Sequence, residues 1–358
     1  MTKSGEAHGV KEKVMDQKAQ KEKVEYVEGL DLDAMPPGHA ARFMVELVQD
    51  PLGRALRVPV MVLKGKKSGP VVGIVGALHG NELNGIRVIH QLFARTDVSK
   101  LRGTLVAINV ANVPGYLMHQ REFMEGTDLN HIMPGKEGGN EAQVYAYRLF
   151  HRIVKQFDYL LDLHTASFGR INSLYIRADM THPITARMAY LQRPQIILHN
   201  PPNDQTLRGS AMEQEIPAIT IEIGNPHLFQ ANFIQRSLIG IRATLSELGM
   251  LPKKGKLVAG PEPIICRKSQ WLYTTTGGIL EVFPGVVEMV EEGQLVAQVR
   301  NIFGDIVEEY HAPFAGIVIG KSTDPAAQTG ARILHLGQLA QPDEMAQFYR
   351  RELNSMLS

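Results

Sequence analysis

The segment that most constrains the fold is residues 71–93. Val71-Val-Gly-Ile-Val-Gly-Ala-Leu78 is an apolar run of strand length with no polar face, as in a strand covered on both sides. It stops at His79-Gly-Asn-Glu82, after which Leu83, Ile86, Ile89 and Phe93 recur at helical spacing. A strand that ends where a helix begins is the repeating step of an open α/β sheet, and sites in such sheets gather beyond the carboxyl ends of the strands. Here that position holds an imidazole and a carboxylate spaced His-x-x-Glu, with Gly80 allowing a tight turn between them.

The same step recurs along the chain. Strands are expected at 42–48 and 56–63, around the turn residues Asp50, Pro51 and Gly53. A further apolar strand covers 103–110, and another covers 157–163 and ends at His164. Residues 218–223 read Ala-Ile-Thr-Ile-Glu-Ile and end at Gly224. Helices fit 142–156 and 232–248. This alternation predicts an α/β fold, a mixed and largely parallel sheet flanked by helices. Residues 111–139, rich in Pro, Gly and polar side chains, read as a long loop that lines a site.

Past the breaker-rich linker Leu251-Pro-Lys-Lys-Gly-Lys256, helical spacing vanishes until the last residues. Gly278-Ile-Leu leading to Gly293-Gln-Leu-Val is echoed by Gly316-Ile-Val leading to Gly330-Ala-Arg-Ile-Leu. This quasi-repeat predicts a smaller all-β barrel-sandwich of two interlocked halves, similar to biotin- and lipoyl-carrier domains. Those carriers modify a lysine on the connecting hairpin, which here reads Asn301-Ile-Phe-Gly-Asp305, so a swinging arm is not expected. The division predicted is a charged N-terminal tail over 1–30, an α/β domain over 31–252, and a β-rich C-terminal domain over 253–358 with a short terminal helix.

Composition narrows the chemistry. The 358-residue chain is 44% hydrophobic and 21% charged, with a net charge of +1, which gives no reason to expect nucleic acid or a membrane surface as partner. Cys266 is the single cysteine, so an intrachain disulfide and a cysteine metal site are both excluded. No apolar run reaches membrane-span length, and residues 1–28 lack the apolar core of a signal peptide. The expected compartment is the cytoplasm.

His79 and Glu82 become a ligand set if a second histidine joins them, and His164, also at the end of an apolar strand, is the natural third member. Buried structural histidines are the competing reading, and the residues alone leave both open. Glu222, flanked by isoleucines, is costly to bury without a task, and reads as a general base; the alternative is the solvent face of an edge strand. Arg121 suits the oxygen of an amide carbonyl as it gains negative charge, and Asn130 suits a substrate carboxylate.

Together these motifs resemble the succinylglutamate desuccinylase and aspartoacylase family, which is related to zinc carboxypeptidases. The resemblance runs from about residue 37 to 341. It rests on Leu78-His-Gly-Asn-Glu-Leu-Asn-Gly85, Asn112-Val-Pro-Gly115, Asp128-Leu-Asn130, Asp162-Leu-His-Thr165 and Thr220-Ile-Glu-Ile-Gly224 in that order. It implies one zinc ion per chain held by His79, Glu82 and His164, with Glu222 as catalytic acid/base. It further implies that Arg121 polarises the scissile carbonyl and that Asn130 belongs to a carboxylate clamp. The implied activity is a zinc-dependent deacylase acting on a small N-acylated amino acid or amine, with oligomeric state left open.

One position departs from the family. Its run is usually Asp-Leu-Asn-Arg, then an aromatic and Pro; this chain has Asp128-Leu-Asn-His131-Ile-Met-Pro134. An Arg would grip a carboxylate with two hydrogen bonds, whereas His131 offers one shorter donor. Either the substrate lacks that carboxylate, or Arg170, Arg177 or Arg208 supplies the missing cation while His131 helps orient the substrate. The alternative class, a non-catalytic small-molecule sensor on the same scaffold, draws its support from this position.

Overall fold

A computed structural model describes residues 23–202, 204–252, 262–341 and 344. The elements run in order β1 (Val24–Val27), β2 (His39–Gln49), β3 (Ala55–Lys64), β4 (Lys67–Gly76), α1 (Asn84–Ala94), β5 (Arg102–Ile108) and α2 (Val113–Leu117). They continue through α3 (Glu141–Arg152), β6 (Tyr159–His164), β7 (Arg170–Asn172), β8 (Leu174–Ala178), α4 (Pro183–Leu191), β9 (Ile196–His199), α5 (Leu207–Glu213), β10 (Ala218–Ile223) and α6 (Ala231–Glu247). The remainder is β: β11 (Ile264–Tyr273), β12 (Gly278–Val282), β13 (Met289–Val290), β14 (Leu295–Arg300), β15 (Ile306–His311), β16 (Gly316–Ser322), β17 (Ala326–Ala327) and β18 (Arg332–Leu339).

Fourteen of these strands share one sheet, with the path β1-β2-β3-β5-β4-β6-β10-β8-β9-β11-β18-β16-β13 and β7 attached to β16. The centre, β5-β4-β6-β10, is parallel, and β8 joins β10 antiparallel. Helices cover both faces. Side chains of α1, α4 and α6, among them Ile89, Met188 and Leu238, pack on one face with Leu161, Leu163, Ile219 and Ile221. Those of α3 and α5, among them Tyr145, Leu149 and Leu207, pack on the other with Val75, Val106 and Leu160. Cover on both faces is why the central strands are apolar throughout rather than alternating.

The β-rich half holds the expected sandwich, but it is not a separate body in its hydrogen bonding. One of its layers, β11-β18-β16-β13, continues the main sheet, because β11 runs parallel to β9 with Ile264 opposite Ile196. The second layer is the four-stranded β15-β14-β12-β17. Val290, Val296, Val299, Val318 and Leu334 fill the space between them. The hairpin at 301–305 joins β14 and β15, as the quasi-repeat requires.

One expectation needs revision. Val24–Val27 is not tail: it pairs parallel with β2, and Leu30, Leu32 and Met35 behind it are buried against the α3 face. The segment 111–139 is, as expected, an ordered loop that lines the cavity, and it holds short helical turns. Asn112 caps α2 by accepting from the Gly115 amide, and Asp128 caps a short 3-10 turn at Leu129–His131. Residues 1–22 and nearly all of the expected terminal helix lie outside the described residues.

Candidate active site

Register explains how one patch of an otherwise apolar sheet becomes polar. Along β6 and β10, odd-numbered residues face α1, α4 and α6, which leaves Asp162, His164, Thr220 and Glu222 on the opposite side. On antiparallel β8, Tyr175 and Arg177 fall on that same side. The pairing places Glu222 beside His164 on one neighbour and opposite Tyr175 on the other. β10 is therefore an inner strand, and the solvent-facing reading of Glu222 does not hold; the residue is 9% exposed.

At the end of β4 the backbone is strained where it delivers His79. Buried Ala77 has a φ of 48°, held there while its carbonyl accepts from the Asn112 amide at 2.9 Å. Gly80 is needed for a different reason: a Cβ there would lie 2.0 Å from the Gly115 carbonyl carbon and 2.1 Å from the Tyr116 nitrogen. The loop bearing Arg121 is packed onto the His-x-x-Glu turn through this contact.

His79, Glu82 and His164 are buried together, with ligand-capable atoms all within 4.8 Å of one another. The Nδ1 atoms of the two histidines are 3.0 Å apart, and each is 3.0 Å from a Glu82 oxygen. On the far side of each ring, Nε2 meets a carboxylate: Asp128 at 3.1 Å from His79 and Asp162 at 3.0 Å from His164. Those carboxylates accept, so each Nε2 carries the proton and each Nδ1 turns a lone pair inward. Two lone pairs and a carboxylate converging at this distance repel unless a proton or a cation sits among them; Arg121 Nη1, 3.2 Å from His79 Nδ1, supplies positive charge from one side. The donor set therefore fits a metal ion, with atoms spaced near the ~3.3 Å edge of a tetrahedral two-His, one-carboxylate shell.

The fields at this point favour positive charge, which a proton on His164 Nδ1 can supply as well as a metal ion. Burial alone would lower the His164 pKa, but Asp162 and Glu82 outweigh it and hold it well above its ordinary value. Burial would raise Glu82; the His79 and His164 imidazoles outweigh that and keep its carboxyl well below the usual range. Arg121 closes the cluster. Its Nη1 donates to Ser167 Oγ at 2.7 Å and to Glu82 Oε1 at 3.1 Å, while Nε donates to Asp128 Oδ2 at 3.0 Å.

All seven candidates from the sequence, His79, Glu82, Arg121, Asn130, His131, His164 and Glu222, line a single cavity of about 350 Å³. Glu222 is held there by the Tyr175 hydroxyl, which donates to Oε1 at 3.2 Å, and by Asn172, which donates to Oε2 at 3.4 Å. Asn130 Oδ1 accepts from the Leu207 amide at the start of α5, which leaves its amide nitrogen for the cavity. His131 stands at the rim with 68% of its side chain exposed.

Arg170, Arg177 and Arg208 also reach this cavity. Arg177 donates to Tyr175 and Asn200, and Arg208 is bound to Asp204 and to the carbonyls of Asn200 and Pro201. The sequence reading missed Asp162, Tyr175, Trp271 and Arg332. For Asp162 a signal existed: in Asp-Leu-His on a strand, residues two apart share a face. Trp271 and Arg332 come from the β-rich half and carry no local signal.

The succinylglutamate desuccinylase/aspartoacylase catalytic domain matches residues 68–248 of this chain. The chain belongs to that family. A curated relative is the N-alpha-acetyl-L-2,4-diaminobutyric acid deacetylase of Halomonas elongata, 22% identical over 302 residues, spanning 80% of this chain and 87% of that protein. Two solved structures share the fold. A succinylglutamate desuccinylase/aspartoacylase from Rhodobacter sphaeroides superposes with a TM-score of 0.78 at 18% identity, covering 87% of this chain and 98% of that one. The product-bound ectoine utilization protein EutE (DoeB) from Ruegeria pomeroyi gives 0.76 at 18% identity, covering 85% and 98%. The family and the curated relative are deacylating hydrolases of amide bonds, and no helix among the described residues is long and apolar enough to cross a membrane.

Proposed function

We propose that this protein is a zinc-dependent amidohydrolase that removes an acyl group from a small N-acylated amino acid or amine, with one zinc held by His79, Glu82 and His164. The observation that carries this reading is the β6–β10 register, which sets the carboxylate of Glu222 beside a carboxylate-backed two-His, one-Glu cluster. Bound there, the ion would act as a Lewis acid toward the amide carbonyl and would acidify a neighbouring water. Glu222 takes the proton of the attacking water and hands it to the leaving nitrogen. Arg121, already fixed by Asp128 and Ser167, donates to the carbonyl oxygen as negative charge builds on it. Asn130 and His131 orient the substrate from the loop side of the cavity. The named activity of the Halomonas relative, an N-acetyl amino acid deacetylase, supports the substrate class. A sequence with the single cysteine Cys266, and so no intrachain disulfide, suits the cytoplasm.

Glu222→Gln tests the central role. The variant is expected to keep its zinc and lose at least about a thousandfold in kcat, since it removes the only assigned proton carrier. Turnover near that of the unaltered protein would refute the assignment.

A further inference from the structure

Of the arginines lining the cavity, three are committed to protein partners: Arg121 to Glu82 and Asp128, Arg177 to Tyr175 and Asn200, and Arg208 to Asp204. Arg170 and Arg332 are different. Neither guanidinium forms an ion pair or a side-chain hydrogen bond among the described residues, yet both line the same cavity. Arg170, at the start of β7, and Arg332, at the start of β18, lie 5.8 and 5.4 Å from the centroid of the Trp271 ring. The indole is in turn fixed by stacking on buried His335 at 4.8 Å with an interplanar angle of 5°. Burial, then the charges of Arg332 and Arg121, depress the Arg170 pKa against the smaller pull of Glu82 and Glu222, so the like charges oppose each other in the free protein.

Two cations braced by one indole, with no carboxylate in hydrogen-bond or ion-pair contact among the described residues and only the more distant charges of Glu82 and Glu222 acting on Arg170, suit an anion from outside. Their location says which part of a substrate supplies it. Tyr175 donates to Glu222 on one side and meets the His335 ring edge-on at 6.3 Å on the other, so the chain Glu222–Tyr175–His335–Trp271 leads from the base to the arginine pair. Glu222 serves the leaving nitrogen. Under that role the arginine pair, reached from Glu222 through Tyr175 and His335, is assigned to the amine portion.

We propose that Arg170 and Arg332, over the edge of Trp271, form the subsite that binds the carboxylate of an N-acyl amino acid substrate. This deepens the deacylase reading and rests on it. The subsite takes over the duty that an Arg in place of His131 would otherwise perform, and draws it from the β-rich half of the chain. An amine lacking the carboxylate binds poorly, because it leaves the arginine pair unanswered.

The test uses the full-length zinc-loaded protein with short-side-chain N-acetyl-L-amino acids and their primary amides. The expected preference in kcat/KM for acid over amide is about 100-fold. Arg170→Gln and Arg332→Gln should each shrink that ratio about tenfold or more, mainly through KM, with Arg332→Lys recovering part of it. An acid-to-amide ratio near one in the unaltered protein, or one that survives both Gln variants, overturns the subsite. If the unaltered protein hydrolyses neither series, it is the deacylase reading that fails. The subsite is then judged by calorimetric binding of the same acids and amides to Glu222→Gln protein. An acid preference that disappears with Arg170→Gln supports it, and equal binding of acid and amide refutes it.

Discussion

At the scale of single residues, the proposed site depends on carboxylates that are not among the cavity-lining residues. Asp128 and Asp162 set the tautomer of His79 and His164, and so decide that Nδ1 is the atom offered inward. Asp162→Asn should weaken zinc affinity about 10- to 100-fold while the fold stays intact, measured by competition with a chromophoric chelator. Unchanged affinity would remove Asp162 from the site. His335 gives a second expectation, on stability. Burial, followed by the charges of Arg177, Arg332 and Arg170, holds its pKa well below 6.5, while Tyr175, Trp271 and Ser269 offer no negative charge to support a proton. The unfolded chain therefore takes up the proton first as pH falls. Stability is full above about pH 6.5 and declines below it, by at most about 1.4 kcal/mol per pH unit from this group. His335→Asn should lessen the drop in melting temperature between pH 7.5 and 5.5, and an identical drop would contradict the account. His79, Glu82, His164 and Glu222 were legible in the sequence because each is a polar residue that ends or interrupts an apolar run. Asp162 and Tyr175 were harder to read, because their importance depends on which strand lies alongside.

At the scale of elements, geometry is set by close approach. The His-x-x-Glu turn touches the loop at Gly115 and Tyr116 with no room for a methyl group at residue 80. Gly80→Ala should cost about 3 kcal/mol or more and lower zinc content with it, because the clash is with backbone that cannot turn aside. A variant of normal melting temperature and full metal loading would show that this contact does not position His79. The central strands and α1, α3 and α6 could be read from periodicity alone, since burial on two faces leaves long apolar runs and one-sided burial leaves helical stripes. β1 could not, being four residues long and mostly exposed, and held by pairing with β2. α2 was hidden in a polar loop because a capped five-residue helix has too few turns to show a period.

At the scale of the whole molecule, the chain reads as two compositional halves, but the fourteen-stranded sheet runs continuously through both. The β9–β11 pairing joins them, and residues so far apart in sequence leave no local trace of it. Cavity residues Trp271 and Arg332 belong to strands on the far side of that seam. The metal-free protein should consequently unfold in a single calorimetric transition whose calorimetric and van't Hoff enthalpies agree, and two resolved transitions would contradict the shared sheet. The central claim, that this fold assembles a zinc-dependent deacylase, is tested most directly by titrating metal-stripped protein with zinc while following hydrolysis of N-acetyl-L-amino acids. The account predicts activity that rises linearly and levels off at one zinc per chain. A protein that takes up one zinc, binds these acids tightly and releases no acetate would contradict it and would mark the scaffold as a sensor.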